Sequence, residues 1–183
     1  MEEQDTEQHI QHQQKRMGAG MLVLAWVAFG AVAVYWFDGL LERQRNPNTT
    51  LNSTLADGIR EVRLQRNRAG HYIANGTING QDVTFMLDTG ATTIAIPGKV
   101  AAGLDLPRGQ EFKTHTANGI ASSFAIRLDH VSLGEIALSN VAAGVTPGLS
   151  TDEVLLGMSF LKHIEFAQRG DELVAGFRHV GIV

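Results

Sequence analysis

An all-β fold of the closed-barrel or sandwich kind, with one short helix, is predicted for residues 60–183, preceded by an N-terminal transmembrane helix. Three observations predict it. Short apolar-alternating runs recur from residue 60 onward, with turn signals about every ten residues, as in sandwiches and barrels. Two Asn-Gly dipeptides, Asn79-Gly80 and Asn118-Gly119, sit between such runs as two-residue hairpin signals. Upstream, Met17 to Phe37 contains no charged residue.

The chain is read in four parts. Residues 1–16 are polar and Gln-rich and are expected to be a disordered tail. Residues 17–37 are the transmembrane helix: at about 1.5 Å per residue they span roughly 30 Å, the thickness of a bilayer core. Tyr35 and Trp36 suit an interfacial position at its far end. A cleaved signal peptide, with Ala31-Val32-Ala33 as the cleavage site, is the competing reading. The apolar run continues past that point and exceeds the usual length of about 7–15 residues, which favours an anchor. Lys15 and Arg16 abut the N-terminal side, which leans towards a cytoplasmic N-terminus and a C-terminal domain across the membrane, in a bacterium the periplasm.

Residues 38–59 read as a linker, since Asn46-Pro47-Asn48-Thr49-Thr50 and Asn52-Ser53-Thr54 are turn and coil formers. Both contain Asn-Xaa-Thr glycosylation patterns, which in an Asn/Thr-rich stretch read as coincidence. In the remaining domain, Val62 and Leu64 alternate with charged neighbours. His71 to Ile78 and Gln81 to Leu87 flank Asn79-Gly80, and Thr92 to Ile96 form the next strand. Val100-Ala101-Ala102 suggests a helical turn. Glu111 to Ala117 and Ile120 to Leu128 flank Asn118-Gly119. Ile136 to Val145 is a further strand, and Val154-Leu155-Leu156 a short one ended by Gly157. Met158 to His163 reads as helical turns with Phe160 and Leu161 inward. Ile164 to Ala167 and Leu173 to Phe177 close the chain as a hairpin around Arg169-Gly170-Asp171.

Composition excludes several functions. A net charge of −4 and a pI near 5.9, with scattered Lys and Arg, argue against nucleic-acid binding. The absence of cysteine removes disulfides, thiolate metal sites and cysteine nucleophiles. The seven His residues fit no compact ligand spacing, so no metal and no cofactor are expected. Ser159 lacks the second Gly of a nucleophile elbow.

The chemistry points to Phe85-Met86-Leu87-Asp88-Thr89-Gly90-Ala91. An acid at the mouth of an apolar strand is costly unless something uses it. The neighbouring Gly lets another backbone come close, and the Thr supplies a hydroxyl. Gly70-His71-Tyr72, Asn79-Gly80, this Asp-Thr-Gly-Ala run, Thr116-Ala117-Asn118-Gly119 and Leu155-Leu156-Gly157-Met158-Ser159-Phe160-Leu161 together resemble the retropepsin-like aspartic proteases, in particular the membrane-anchored bacterial type. The resemblance covers about residues 60–178.

The resemblance implies an aspartic endopeptidase in which two Asp carboxylates hold a nucleophilic water. Asp88 would be the catalytic carboxylate. Thr89, Gly90 and Ala91 would support the loop, through a hydroxyl bond across the dimer, an amide offered to the carboxylate, and the cleft floor. Asn118 and Gly119 would tip a flap closing over an extended peptide. Leu155, Leu156 and Gly157 would pack behind the loop. The chain holds no second Asp-Thr-Gly or Asp-Ser-Gly, so the active form would be a homodimer. The alternative is a catalytically silent module of the same fold that binds peptide or dimerises.

Overall fold

In a computed structural model, residues 2–56, 59–116 and 119–178 are described. The chain divides into two compact units, Met1–Glu42 and Arg43–Val183.

Helix α1 spans Glu2–Arg45; its residues up to Glu42 belong to the first unit and Arg43–Arg45 to the second. The expected disordered tail is helical from Glu2. Its Gln, Glu, Lys and Arg residues are good helix formers, and no Gly or Pro occurs before Gly18. From Gly20 to Arg45 the helix is long and apolar enough to cross a membrane. Leu24, Trp26, Phe29 and Trp36 are all exposed along it. The helix outlasts the expected end at Phe37 and stops where Pro47 disfavours helical backbone at the residue before it.

The stretch expected to be a coil linker is corrected in the second unit. Residues 46–56 are built into the domain. β1 (Asn52–Ala56) pairs antiparallel with β2 (Ile59–Gln65), from Asn52 opposite Arg63 to Ala56 opposite Ile59. Asn48 is buried. Its Nδ2 donates to the Gln65 and Ile73 carbonyls at 2.9 and 2.7 Å, and its Oδ1 accepts the Gln65 amide at 2.7 Å. Asn46, also buried, accepts the Asn48 amide at 3.0 Å and donates to Asn75 Oδ1 at 2.8 Å. These side-chain amides stand in for ladder hydrogen bonds, which composition does not reveal. They also bury Asn48, the acceptor of the first glycosylation pattern.

The domain is all-β with a closed sheet. In chain order, β3 (Ile73–Ile78), β4 (Gln81–Leu87), β5 (Ile94–Pro97), α2 (Gly98–Gly103), β6 (Gln110–Thr116), β7 (Gly119–Leu133), β8 (Ile136–Thr146), β9 (Val154–Leu156), α3 (Met158–Leu161), β10 (Glu165–Arg169) and β11 (Glu172–Arg178) follow β2. The two short helices stand at the two stretches where the sequence suggests helical turns, so the domain carries one more than the single short helix of the expected fold class. The larger sheet has the order β3-β4-β9-β5-β8-β7-β6, and a β3–β7 pairing at Thr77–Ser132 and Ile78–Val131 closes it into a barrel. The smaller sheet is β1-β2-β11-β10.

Alternation explains the packing. Val62 and Leu64 of β2, and Leu173 and Ala175 of β11, face inward. Ile78, Phe85, Ile94, Ile96, Leu128, Leu156 and Phe160 are fully buried in one core. At about 25 cal/mol per Å² of apolar area, such side chains supply the main stabilising term. The β3–β4 turn takes φ of 50° at Asn79 and 81° at Gly80, the left-handed pair a two-residue hairpin needs. This hairpin delivers β4, and with it Asp88, to one end of the barrel.

Candidate active site

Asp88 is the first residue past β4. Its amide donates to the Leu156 carbonyl at 3.2 Å, continuing the parallel β4–β9 ladder by one step. The chain then turns. The Gly90 amide donates to Asp88 Oδ1 at 2.9 Å, and the Ala91 amide to the Asp88 carbonyl at 3.3 Å. The Ala91 carbonyl in turn accepts the Met158 amide at 2.8 Å, tying the loop to the start of α3. Asp88 and Ala91 are half-buried, whereas Thr89 and Gly90 are exposed.

Gly157 makes this packing possible. A Cβ there would lie 2.3 Å from the Thr93 carbonyl oxygen and 2.7 Å from that of Ala91, so no side chain fits. Leu156 is fully buried beside it. Leu155, expected behind the loop with them, instead has its half-buried side chain in the cleft wall. Alternation along β9 puts neighbouring side chains on opposite faces.

The cleft has a volume of about 790 Å³. Asp88, Gly90, Ala91, Ala95 and Leu155 line it, together with Phe112 and Ile120 of the β6–β7 hairpin. Asp88 is the one ionisable side chain among the described residues that line it. The cleft lining mixes apolar side chains, Phe112, Ile120, Leu149 and Leu155, with the hydroxyl-bearing Thr92, Thr93, Thr114, Ser123, Thr146 and Ser150.

The β6–β7 hairpin is the expected flap. Asn118 lies outside the described residues. Gly119 opens β7 opposite Thr116, with φ of 110°, a conformation that side-chain-bearing residues rarely adopt. The pairing of β7 with β8 begins at Phe124, so among the described residues the strand ladder of 120–123 runs to β6. Ile120 is 67% exposed. At the base of the hairpin the Phe112 ring packs against Gly144, where a Cβ would come within 3.2 Å of it. A buried hydroxyl pair, Ser123 Oγ and Thr146 Oγ1 at 2.8 Å, fastens that base to the end of β8.

Two supports escaped the sequence reading. One is the Ser123–Thr146 pair. The other is Ser159, whose Oγ donates to the Ala142 carbonyl at 2.7 Å and accepts the Ile94 amide at 3.0 Å, joining α3 to β8 and β5. Neither leaves a sequence signal, because each acts between segments distant in the chain. Among the described residues no group of three or more His, Asp or Glu is placed to hold a metal ion.

Immediately before β9, Glu153 is buried and paired with Arg45 at 2.6 Å. Burial pushes its carboxyl up, but the Thr151 hydroxyl, a backbone amide and the Arg45 guanidinium together hold it below its ordinary value.

Comparison with known proteins agrees with this geometry. Residues 74–163 match the family described as "gag-polyprotein putative aspartyl protease". The solved structure of a retropepsin-like aspartic protease from Rickettsia conorii is 30% identical, covers 70% of this chain and 96% of its own, and superposes with a TM-score of 0.58. An uncharacterised protein from the cobV 5′ region of a Sinorhizobium species is 35% identical over 173 residues, 86% of this chain and 74% of that relative. An uncharacterised protein of Rickettsia prowazekii (strain Madrid E) is 34% identical over 110 residues, 58% of this chain and 47% of its own length.

Proposed function

Because this chain belongs to the retropepsin-like aspartic protease family, we propose that it is a membrane-anchored aspartic endopeptidase, active as a homodimer. One observation carries the reading: among the described residues that line the cleft, Asp88 is the one ionisable side chain, on a loop pinned from behind by Gly157 and faced by a hairpin. A water-mediated attack needs both a base and an acid, and one carboxylate cannot be both at once. A second copy supplies the other.

Two carboxylates about 3 Å apart do not both ionise, so the pair shares one proton. The ionised member takes a proton from a water held between them as the water oxygen attacks the scissile carbonyl carbon. The protonated member gives its proton to the carbonyl oxygen. The resulting diol collapses as the C–N bond breaks: one diol hydroxyl gives its proton to the carboxylate that is now ionised, and the carboxyl that is now protonated gives its proton to the leaving amine. The Gly90 amide, bonded to Asp88 Oδ1, fixes the rotamer of the carboxylate. The Thr89 hydroxyl, exposed at the loop tip, is positioned to bond the opposite loop. The β6–β7 hairpin lies along an extended peptide, which exposed strands bind through main-chain hydrogen bonds. In this reading α1 is the anchor, Lys15 and Arg16 face the cytoplasm, and the domain works in the periplasm of a bacterium.

The test is cleavage of a peptide library by the full chain in detergent micelles, compared with Asp88→Asn. We expect the variant to fold and to lose about 10²- to 10⁴-fold in rate. Rate per chain should also rise with chain concentration. Cleavage that survives Asp88→Asn rejects the proposed chemistry. No cleavage by the unaltered chain at any concentration favours a peptide-binding module without turnover.

A further inference from the structure

Glu153 is a buried carboxylate that the proposed chemistry does not use. It closes the loop of residues 147–153, which runs from the end of β8 to the start of β9. Gly148, Leu149 and Ser150 of this loop line the cleft, with Thr146 before them and Leu155 after them. What holds the loop therefore shapes one wall of the cleft.

The loop is held through Thr151. Its hydroxyl accepts the Glu153 amide at 3.1 Å and donates to Glu153 Oε2. The second carboxylate oxygen, Oε1, accepts from Arg45 Nε at 2.7 Å and lies 2.6 Å from Arg45 Nη2. One carboxylate thus grips the cleft loop with one oxygen and the last residue of α1 with the other. Arg45 is itself fixed to the domain. Its carbonyl accepts Asn67 Nδ2 at 2.9 Å, and the next residue, Asn46, is buried and donates to Asn75 Oδ1. A further tie from the loop, Lys99 Nζ to Asp152, is exposed on both sides, and solvent screens it. Glu153 is 7% exposed, so its charge depends on partners rather than on water. Taking away the guanidinium would leave that charge behind without its cation. The carboxylate would then turn towards solvent and release the Thr151 hydroxyl.

We propose that Arg45 is a positioning residue for the cleft: acting through Glu153 and Thr151, it fixes the wall formed by Gly148, Leu149 and Ser150. The inference rests on the peptide-cleaving reading above for its effect on substrate. It means that the last turn of the anchor helix supplies part of the support of the cleft, so a cut after Arg45 would loosen the wall, whereas one before Arg43 would leave it intact.

The test follows two amides by hydrogen exchange in the full chain in detergent micelles. One is that of Leu149, which donates to the Thr146 carbonyl at 3.1 Å, and the other that of Glu153. Arg45→Ala should speed exchange at both by about threefold or more. For a peptide recovered from the library it should raise KM about fivefold and leave kcat within about twofold, because the Asp88 loop is untouched. Arg43→Ala, two residues earlier and exposed, should change neither quantity. Because Arg45 acts through the carboxylate, its replacement should have almost no further effect in a Glu153→Ala background. Should Glu153→Ala not fold, Glu153→Gln carries the same comparison. Unchanged exchange at Leu149 and Glu153 in Arg45→Ala overturns the proposal, as does faster exchange with an unaltered KM, or an effect of Arg45→Ala that is undiminished without the carboxylate. The catalytic reading is judged separately. Cleavage that depends on Asp88 and ignores Arg45 rejects the positioning role alone. In a chain that cleaves nothing, the protease is rejected and the exchange comparison decides the positioning role by itself.

Discussion

The two Asn-Gly hairpins carry the same local turn code and have opposite fates. The β3–β4 hairpin is locked into the barrel. Ile78 and Phe85 are fully buried, the Asn79 amide donates to the His130 carbonyl at 2.8 Å, and Asn79 Oδ1 accepts the His130 amide at 3.0 Å. The β6–β7 hairpin has Glu111, Phe112, Lys113 and Ile120 exposed, and among the described residues the ladder of Ile120–Ser123 runs to β6, the one to β8 starting at Phe124. Turn chemistry therefore decides that a hairpin forms, while the partners on its faces decide whether it is a wall or a flap. The wall carries Asp88 to a defined position. The second hairpin borders the cleft, and under the proposed function it is the segment that would differ between empty and filled states, as ligand-binding segments of low local stability do.

Truncation of a large side chain in each hairpin is the strongest way to break this contrast. Phe85→Ala removes a fully buried ring and should cost about 3–5 kcal/mol of stability, measured by chemical denaturation of the full chain. Ile120→Ala removes an exposed side chain and should stay within about 0.5 kcal/mol, while lowering peptide binding because Ile120 lines the cleft. Comparable losses of stability at both positions would show that the second hairpin is as firmly packed as the first. A smaller effect sharpens the same point. Gly80→Ala and Gly119→Ala both force a side chain into left-handed backbone, which costs about 1–2 kcal/mol. At Gly80 that cost should appear in global stability. At Gly119 it should appear as altered peptide affinity with little change in the melting temperature, because the hairpin tip can relax without opening the barrel.

Much of this architecture was legible in the sequence, and the limits have a physical cause. Alternation located β2, β4, the return arm of β7 and β11. The turn signals placed the hairpins, and the apolar strand ending in Asp88 marked where the cleft opens. All of these are local patterns. What escaped depends on contacts between distant segments. Asn46 and Asn48 look like coil formers, yet their side chains bond strands 17 to 29 residues away and draw the supposed linker into the domain. The barrel closes through two β3–β7 residue pairs that no periodicity announces. Leu155 was grouped with Leu156 as support, although the alternation of β9 places it in the cleft.

The smallest expected effect concerns how the wall side of the molecule responds to acid. Glu153 abuts β9, the strand that pairs with β4 of the wall hairpin, and it holds Arg45. Its carboxyl titrates below its ordinary value of 4.5. The native state therefore binds this proton less readily than the unfolded chain does. The resulting stability is fully present above pH 4.5 and is lost as pH falls through the lowered folded value. Arg45 is half-exposed, so solvent screens the pair and its share should be below about 1 kcal/mol. Glu153→Gln should flatten the acid limb of the stability profile by that amount and leave the profile above neutrality parallel to that of the unaltered chain. Hydrogen exchange at low pH should then show the Arg45 to Asn48 segment opening before the Phe85 core, with the amides of residues 120–123 unprotected throughout. An acid limb unchanged by Glu153→Gln would place the titrating group elsewhere and separate the junction from the wall it is argued to brace.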